Sequence, residues 1–175
     1  METTTESTKV PTAGPITQAR LQALEERIRH LEDLNEILQV MASYGPCVDS
    51  GSARSATELW TEDGTFDVDV GVWNGRAEIE GMLTSDMAVT NRANGCAHVV
   101  SMPRVIVDGD AAVATGYMSF IQRQGGSHDI TRQTANRWDF VRTAEGWRVQ
   151  TRTNRLLDGS PAARQLLARS VTGQA

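Results

Sequence analysis

Four long runs fill the C-terminal part of the chain, at about 96–107, 112–123, 130–143 and 147–157. They are separated by Asp108-Gly109-Asp110, Gly125-Gly126-Ser127 and Ala144-Glu145-Gly146. Each separator is a short glycine-bearing cluster of the kind that closes a β-hairpin, because glycine reaches the positive-φ conformations such turns require. The expectation is four antiparallel strands in succession. Ahead of them, Leu24, Ile28, Leu31, Leu34, Ile37, Leu38 and Met41 recur at three- and four-residue spacing and paint one stripe on a helix. Helices first and a long antiparallel run afterwards define an α+β domain. In that arrangement a strongly curved sheet wraps the helices into a cone with an interior pocket.

The remaining elements follow from local signals. The first helix is predicted to start after Pro15 and to close at Tyr44, because Gly45-Pro46 removes an amide donor and disfavours helical geometry in the preceding residue. Its first half carries charges on its flanks and has room to cover a neighbouring subunit as well as its own sheet. A short helix is predicted over Ala53–Trp60, then an acidic turn Thr61-Glu62-Asp63-Gly64, then a strand from Thr65 to Val70. Asn74-Gly75 signals a turn before a third helix, Arg76 to about Thr84, with Ile79, Met82 and Leu83 inward. Ser160-Pro161 reads as a cap and first helical residue for a closing helix over Ala162–Ser170. Residues 1–17, rich in Thr, Pro, Glu and Gly without apolar period, read as a disordered leader. The expected organisation is that leader, one domain over 18–158, and a C-terminal helix and tail over 159–175.

Composition narrows the function classes. A net charge of -5, with arginines dispersed and the only lysine, Lys9, near the N-terminus, speaks against nucleic-acid or anionic-membrane partners. Cys47 and Cys96 lack metal-site spacing and are too few for a disulfide framework, so no metal ligation is expected. No apolar stretch reaches membrane-spanning length and the N-terminus is unlike a signal peptide, which makes the expected location cytoplasmic.

His98 is the residue that points to chemistry. It interrupts the apolar run Cys96-Ala97-His98-Val99-Val100 in a chain with three histidines. An imidazole there needs a partner, or it leaves a polar group unsatisfied at a cost of about 1–3 kcal/mol. Two readings stand: a core histidine held by a carbonyl or hydroxyl, or a functional histidine with a second group. The candidate second group is Asp49, flanked by Cys47 and Val48 just after the long helix, which could instead cap the next helix. Ser50, Ser52 and Ser55 are alternative caps. A carboxylate on one ring nitrogen fixes the tautomer and leaves the other nitrogen as a general base. His128, in a glycine turn, and His30, among helix charges, read as solvated. Asp67 and Asp69 read as the wet face of a strand, and the four tryptophans as core or cavity wall.

Several segments together carry a family resemblance over roughly residues 30–158. They are Tyr44 with Asp49; Glu58-Leu59-Trp60-Thr61-Glu62-Asp63-Gly64-Thr65-Phe66; Gly75-Arg76-Ala77-Glu78-Ile79 with Glu80-Gly81; and Val107-Asp108-Gly109-Asp110-Ala111-Ala112-Val113-Ala114. With these the chain resembles the SnoaL-like branch of the nuclear transport factor 2-like superfamily, which includes scytalone dehydratases, bile-acid dehydratases and hexachlorocyclohexane dehydrochlorinase. The resemblance implies a cone-shaped, mixed and mostly antiparallel sheet wrapping the N-terminal helices.

It also implies that Asp49 and His98 form the aspartate–histidine pair of the dehydratases and the dehydrochlorinase. Tyr44 then occupies the helix position that is tyrosine or lysine in relatives. Arg152, with Arg155 as fallback, matches the dehydrochlorinase's arginine on the last strand. A second pocket histidine, as in scytalone dehydratase, is missing from 112–123. The implied activity is a cofactor-independent β-elimination in which His98, oriented by Asp49, removes a proton while Tyr44 or Arg152 assists the leaving group or oxyanion. Cys96, Met118, Trp60 and Val100 are the candidate substrate-binding residues. The substrate would be small, hydrophobic or cyclic, and the assembly a homodimer or homotrimer. Polyketide cyclases, ketosteroid isomerases and non-catalytic binding or small-subunit modules lie within the same resemblance. A large Asp49–His98 separation would drop the enzyme reading.

Overall fold

The computed structural model describes residues 17–172, so most of the expected leader lies outside the described residues. The elements in chain order are α1 (Gln18–Asp49), α2 (Ala53–Thr57), β1 (Trp60–Val68), β2 (Gly71–Asn74), α3 (Gly75–Leu83), α4 (Asp86–Asn94), β3 (Cys96–Val100), β4 (Arg104–Asp108), β5 (Ala111–Gln124), β6 (Ser127–Thr143), β7 (Gly146–Leu156) and α5 (Pro161–Thr172). The sheet runs β2-β1-β7-β6-β5-β3, with β4 also on β5, and does not close on itself. Only the β1–β7 pairing is parallel. The architecture is therefore α+β with a mixed, mostly antiparallel sheet packed on N-terminal helices. No described helix is long and apolar enough to cross a membrane.

Four local expectations are corrected. First, α1 does not stop at Tyr44. It continues through Pro46 to Asp49, with the Ser50 amide donating to the Pro46 carbonyl at 3.0 Å. The residue before the proline is glycine, which has no Cβ to clash with the ring, and the side of the helix that loses a hydrogen bond faces solvent at Ala42 and Pro46. Second, α2 ends at Thr57, and the acidic turn lies inside β1. Trp60 pairs with Val149 and Thr65 with Thr151, so Thr61–Gly64 is an insertion that bulges out of the parallel ladder. Third, the 96–107 run is two strands on one edge of β5, broken at 101–103. Met102 lies in that break with 84% of its surface exposed. Fourth, α4 was not expected.

The helix stripe divides in two. Ile37, Val40, Met41, Tyr44 and Val48 are buried against the sheet, whereas Leu21, Leu24, Ile28 and Leu31 are exposed. Opposite the buried half lie Trp60, Trp138, Phe140, Trp147 and Val149. α1 is locked to the β6–β7 hairpin by polar bonds as well as by packing. Asp33 accepts from Arg142 at 2.6 and 2.9 Å and from the Trp147 indole at 3.0 Å, while Glu36 accepts from the Trp147 amide at 2.8 Å. Gly146, at φ 100°, leaves room that any side chain would take from the Glu36 carboxylate.

Candidate active site

The register of the sheet sets out the concave face in rows. Phe66 pairs with Arg152 and Arg152 with Trp138. Val68 pairs with Asn154 and Asn154 with Asn136. Arg132 pairs with Phe120 and Phe120 with His98. Side chains at alternate strand positions share a face, so Cys96, His98, Met118, Phe120, Phe66, Val68 and Asn154 all reach one cavity of about 330 Å³. α1 adds Tyr44 and Val48, α3 adds Met82 and Leu83, and α4 adds Met87, Ala88, Asn91 and Arg92. The wall is mainly apolar with a few polar groups, the usual form of a small-molecule site.

His98 lines this cavity, and Asp49 meets it from α1 without itself forming part of the lining. The His98 ring Nδ1 and Asp49 Oδ1 are 2.6 Å apart, and the His98 backbone amide donates to Asp49 Oδ2 at 2.7 Å. Both carboxylate oxygens are thus committed to one residue, which fixes strand and helix together as well as the ring. Asp49 reaches β3 because α1 runs one turn past Gly45. Gly45 lies against the His98 carbonyl, where a Cβ would overlap the oxygen. Burial pushes the Asp49 carboxyl upward, but the hydrogen bonds from the His98 ring and amide outweigh it, and the group sits below its ordinary value. An ionised Asp49 accepts the Nδ1 proton. The lone pair is then on Nε2, for which no described residue is a partner. The His98 ring is flanked by Phe120, with ring centroids 4.5 Å apart, and by the edge of Tyr44, at 6.0 Å.

Cys96 Sγ lies 3.8 Å from Asp49 Oδ1. Burial and the neighbouring carboxylate push its thiol up, so it stays protonated at neutral pH and is no nucleophile. Asp49, Cys96 and His98 have ligand atoms within 4.8 Å of one another. Tetrahedral zinc ligands of this kind sit roughly 3.3 Å apart. The 2.6 Å oxygen–nitrogen distance is therefore that of a shared proton, not of two ligands around an ion.

The other candidates fall in different places. Tyr44, Cys96 and Met118 line the cavity. Trp60 does not: it is fully buried behind Tyr44, with ring centroids 5.9 Å apart. Nor does Val100, which packs partly buried against the core at the end of β3. Arg152 is also off the wall. It is fully buried, its guanidinium carbon 4.0 Å from the Tyr44 and Trp138 ring centroids and 4.9 Å from that of Phe66. Its Nε and one terminal nitrogen donate to Asn136 Oδ1 at 3.2 and 2.9 Å, and its other terminal nitrogen is buried without a partner. Burial pulls this guanidinium below its ordinary value, with Tyr44 opposing. Arg155 is tied to Asp67 at 2.7 Å. His128 and His30 are exposed.

Sequence reasoning missed the cavity residues of α4. The signal was present: Ser85 caps the helix, accepting from the Ala88 amide at 3.4 Å, and Gly95 ends it at φ 91°. Between these, Met87, Ala88, Asn91 and Arg92 recur on one face. The face is too polar for an apolar-period search to detect.

A mixed, mostly antiparallel sheet packed on N-terminal helices, around an apolar cavity lined by the imidazole of an aspartate–histidine pair, defines a domain of the nuclear transport factor 2-like fold. The chain belongs to the SnoaL-like domain family, which matches residues 29–153. A nuclear transport factor 2-like protein with a cystatin-like fold from Novosphingobium aromaticivorans is 41% identical over 88% of this chain and 99% of that one, with a TM-score of 0.82. A protein of unknown function from Mycobacterium tuberculosis shares the fold at 17% identity and a TM-score of 0.66, over 82% of this chain and 95% of that one. A cystatin-fold protein of unknown function from Nostoc punctiforme does so at 18% and 0.64, over 74% and 94%. No curated protein matches the chain.

Proposed function

We propose that the protein is a cofactor-independent lyase of the dehydratase type, in which His98 removes a proton adjacent to a carbonyl and Asp49 holds the ring and stabilises the imidazolium. The observation that carries this reading is the 2.6 Å contact of Asp49 Oδ1 with Nδ1 of His98, the imidazole that lines the apolar cavity. With Nδ1 engaged by the carboxylate, Nε2 is the base. Tyr44, on the wall with its ring edge toward His98, is the donor to the departing hydroxyl or developing oxyanion. Arg152, stacked on the far side of the same ring, acts through Tyr44 as a positioning residue.

The expected reaction breaks a carbon–hydrogen bond and then the carbon–oxygen bond β to the carbonyl. The proton goes to His98, and hydroxide leaves as water with a proton from Tyr44. The test is to incubate the protein with a panel of cyclic β-hydroxy ketones and follow conjugated enone by absorbance, with products identified by mass. Loss of water supports the lyase reading. Isomerised or cyclised products without loss of water favour the related isomerase or cyclase chemistry, and no turnover with tight binding favours a binding module. The exposed Leu21, Leu24, Ile28 and Leu31 stripe is consistent with a homodimer or homotrimer, to be checked by light scattering.

A further inference from the structure

The cavity wall carries two arginines, Arg92 and Arg132. Arg132 is neutralised by its ion pair with Asp69. Arg92 is not: among the described residues no carboxylate forms an ion pair with it. One terminal nitrogen donates to the Leu83 carbonyl at 3.0 Å, where α3 ends, which anchors the side chain and leaves the rest of the guanidinium fork uncommitted. Asp49, which like Arg92 acts on the Cys96 thiol, already has both oxygens on His98. The cavity thus holds one uncompensated, half-buried positive charge in an otherwise largely apolar lining.

A guanidinium in that setting recognises a carboxylate. Its planar fork matches two oxygens, and the apolar surroundings screen the attraction less than water does. The cavity, at about 330 Å³, is at the small end of ligand pockets, which suits one or two fused rings. We propose that Arg92 is the anion-recognition residue of this site, and that its substrates are compact ring compounds bearing a carboxylate, seated with the acid on Arg92 and the reactive carbon toward His98. This rests on the reading of the cavity as the substrate site and narrows it to an acidic substrate class.

The test is calorimetric titration of the full chain with 2-naphthoate and with 2-naphthamide, which is nearly the same shape without the charge. The wild type is expected to bind naphthoate at least tenfold more tightly, with the advantage shrinking as salt is raised. Arg92→Gln keeps a donor for the Leu83 carbonyl, so it should lose the advantage while binding naphthamide within about twofold of wild type. Arg92→Lys should retain part of the advantage. Equal wild-type affinities, no detectable naphthoate binding, or a preference that survives in Arg92→Gln would each overturn the proposal. If Arg92→Gln fails to fold, the salt dependence in the wild type decides: a preference indifferent to salt overturns it. Anion preference without any proton transfer would keep this inference and drop the lyase reading. Turnover of neutral ketones without anion preference would do the reverse.

Discussion

Gly45 of α1 packs directly against the backbone carbonyl of His98 on β3, so closely that a Cβ at residue 45 would overlap the oxygen. This contact sets the distance between helix and strand at the point where Asp49, one turn further along α1, reaches the His98 ring and amide. Gly45→Ala must push α1 away from β3. The expected cost is about 1–3 kcal/mol of stability, with a larger proportional loss of any His98-dependent activity, because the carboxylate is displaced with the helix. Thermal unfolding and turnover measured together check this. An alanine variant as stable and as active as wild type would contradict it.

The Asp33 latch should govern part of the acid limb of stability. The Arg142 hydrogen bonds hold the Asp33 carboxyl below its ordinary value against the opposing effect of burial, with the Trp147 indole assisting. A carboxyl lowered in the folded state contributes stability that is full above the unfolded value, about 4, and is lost as pH falls through the folded value. Asp33→Asn should therefore be less stable than wild type by about 2–3 kcal/mol at pH 7. The gap should narrow steadily below about pH 4. Chemical denaturation of both proteins from pH 7 to pH 2 measures it.

Arg152 is a buried cation among aromatic faces, with no carboxylate partner among the described residues. Arg152→Met keeps the volume and removes a charge that is costly to bury, so the fold should survive within about 2 kcal/mol of wild type. Turnover should fall mainly in kcat, because Tyr44 loses the cation on its ring. A merely structural role would leave kcat of the folded variant unchanged.

The sequence made the long hairpins and the pairing of Asp49 with His98 legible, because turn glycines and an isolated polar residue in an apolar run are strong local signals. It misplaced the path by which Asp49 arrives. The rule that proline ends a helix gave way at Gly45-Pro46, where the glycine removes the steric conflict and solvent takes the broken hydrogen bond. Arg152 and Trp60 were legible as residue types but not as depths. Their places behind Tyr44 depend on packing among β1, β6, β7 and α1, which spacing along one strand does not encode. Arg92 was invisible because α4 buries none of its residues fully and so lacks the apolar period that marks a helix.

That shallow packing has a dynamic consequence. α4 is held by few contacts, among them Gln122 donating to Asn91 at 2.9 Å and Arg92 donating to Leu83. Its amides should exchange faster than those of α1 or β5–β7, and ligand in the cavity should slow them selectively. Hydrogen exchange with and without 2-naphthoate reads this out. Protection of α4 equal to that of the sheet in the free protein would contradict it.

The central claim is that His98, aimed by Asp49, moves the proton, and the direct test is the elimination rate of His98→Ala and Asp49→Asn, with folding verified by circular dichroism. The account predicts a loss of at least about 100-fold for His98→Ala, and a loss of about tenfold or more for Asp49→Asn with the ring left untethered. Wild-type rates in both folded variants would contradict it.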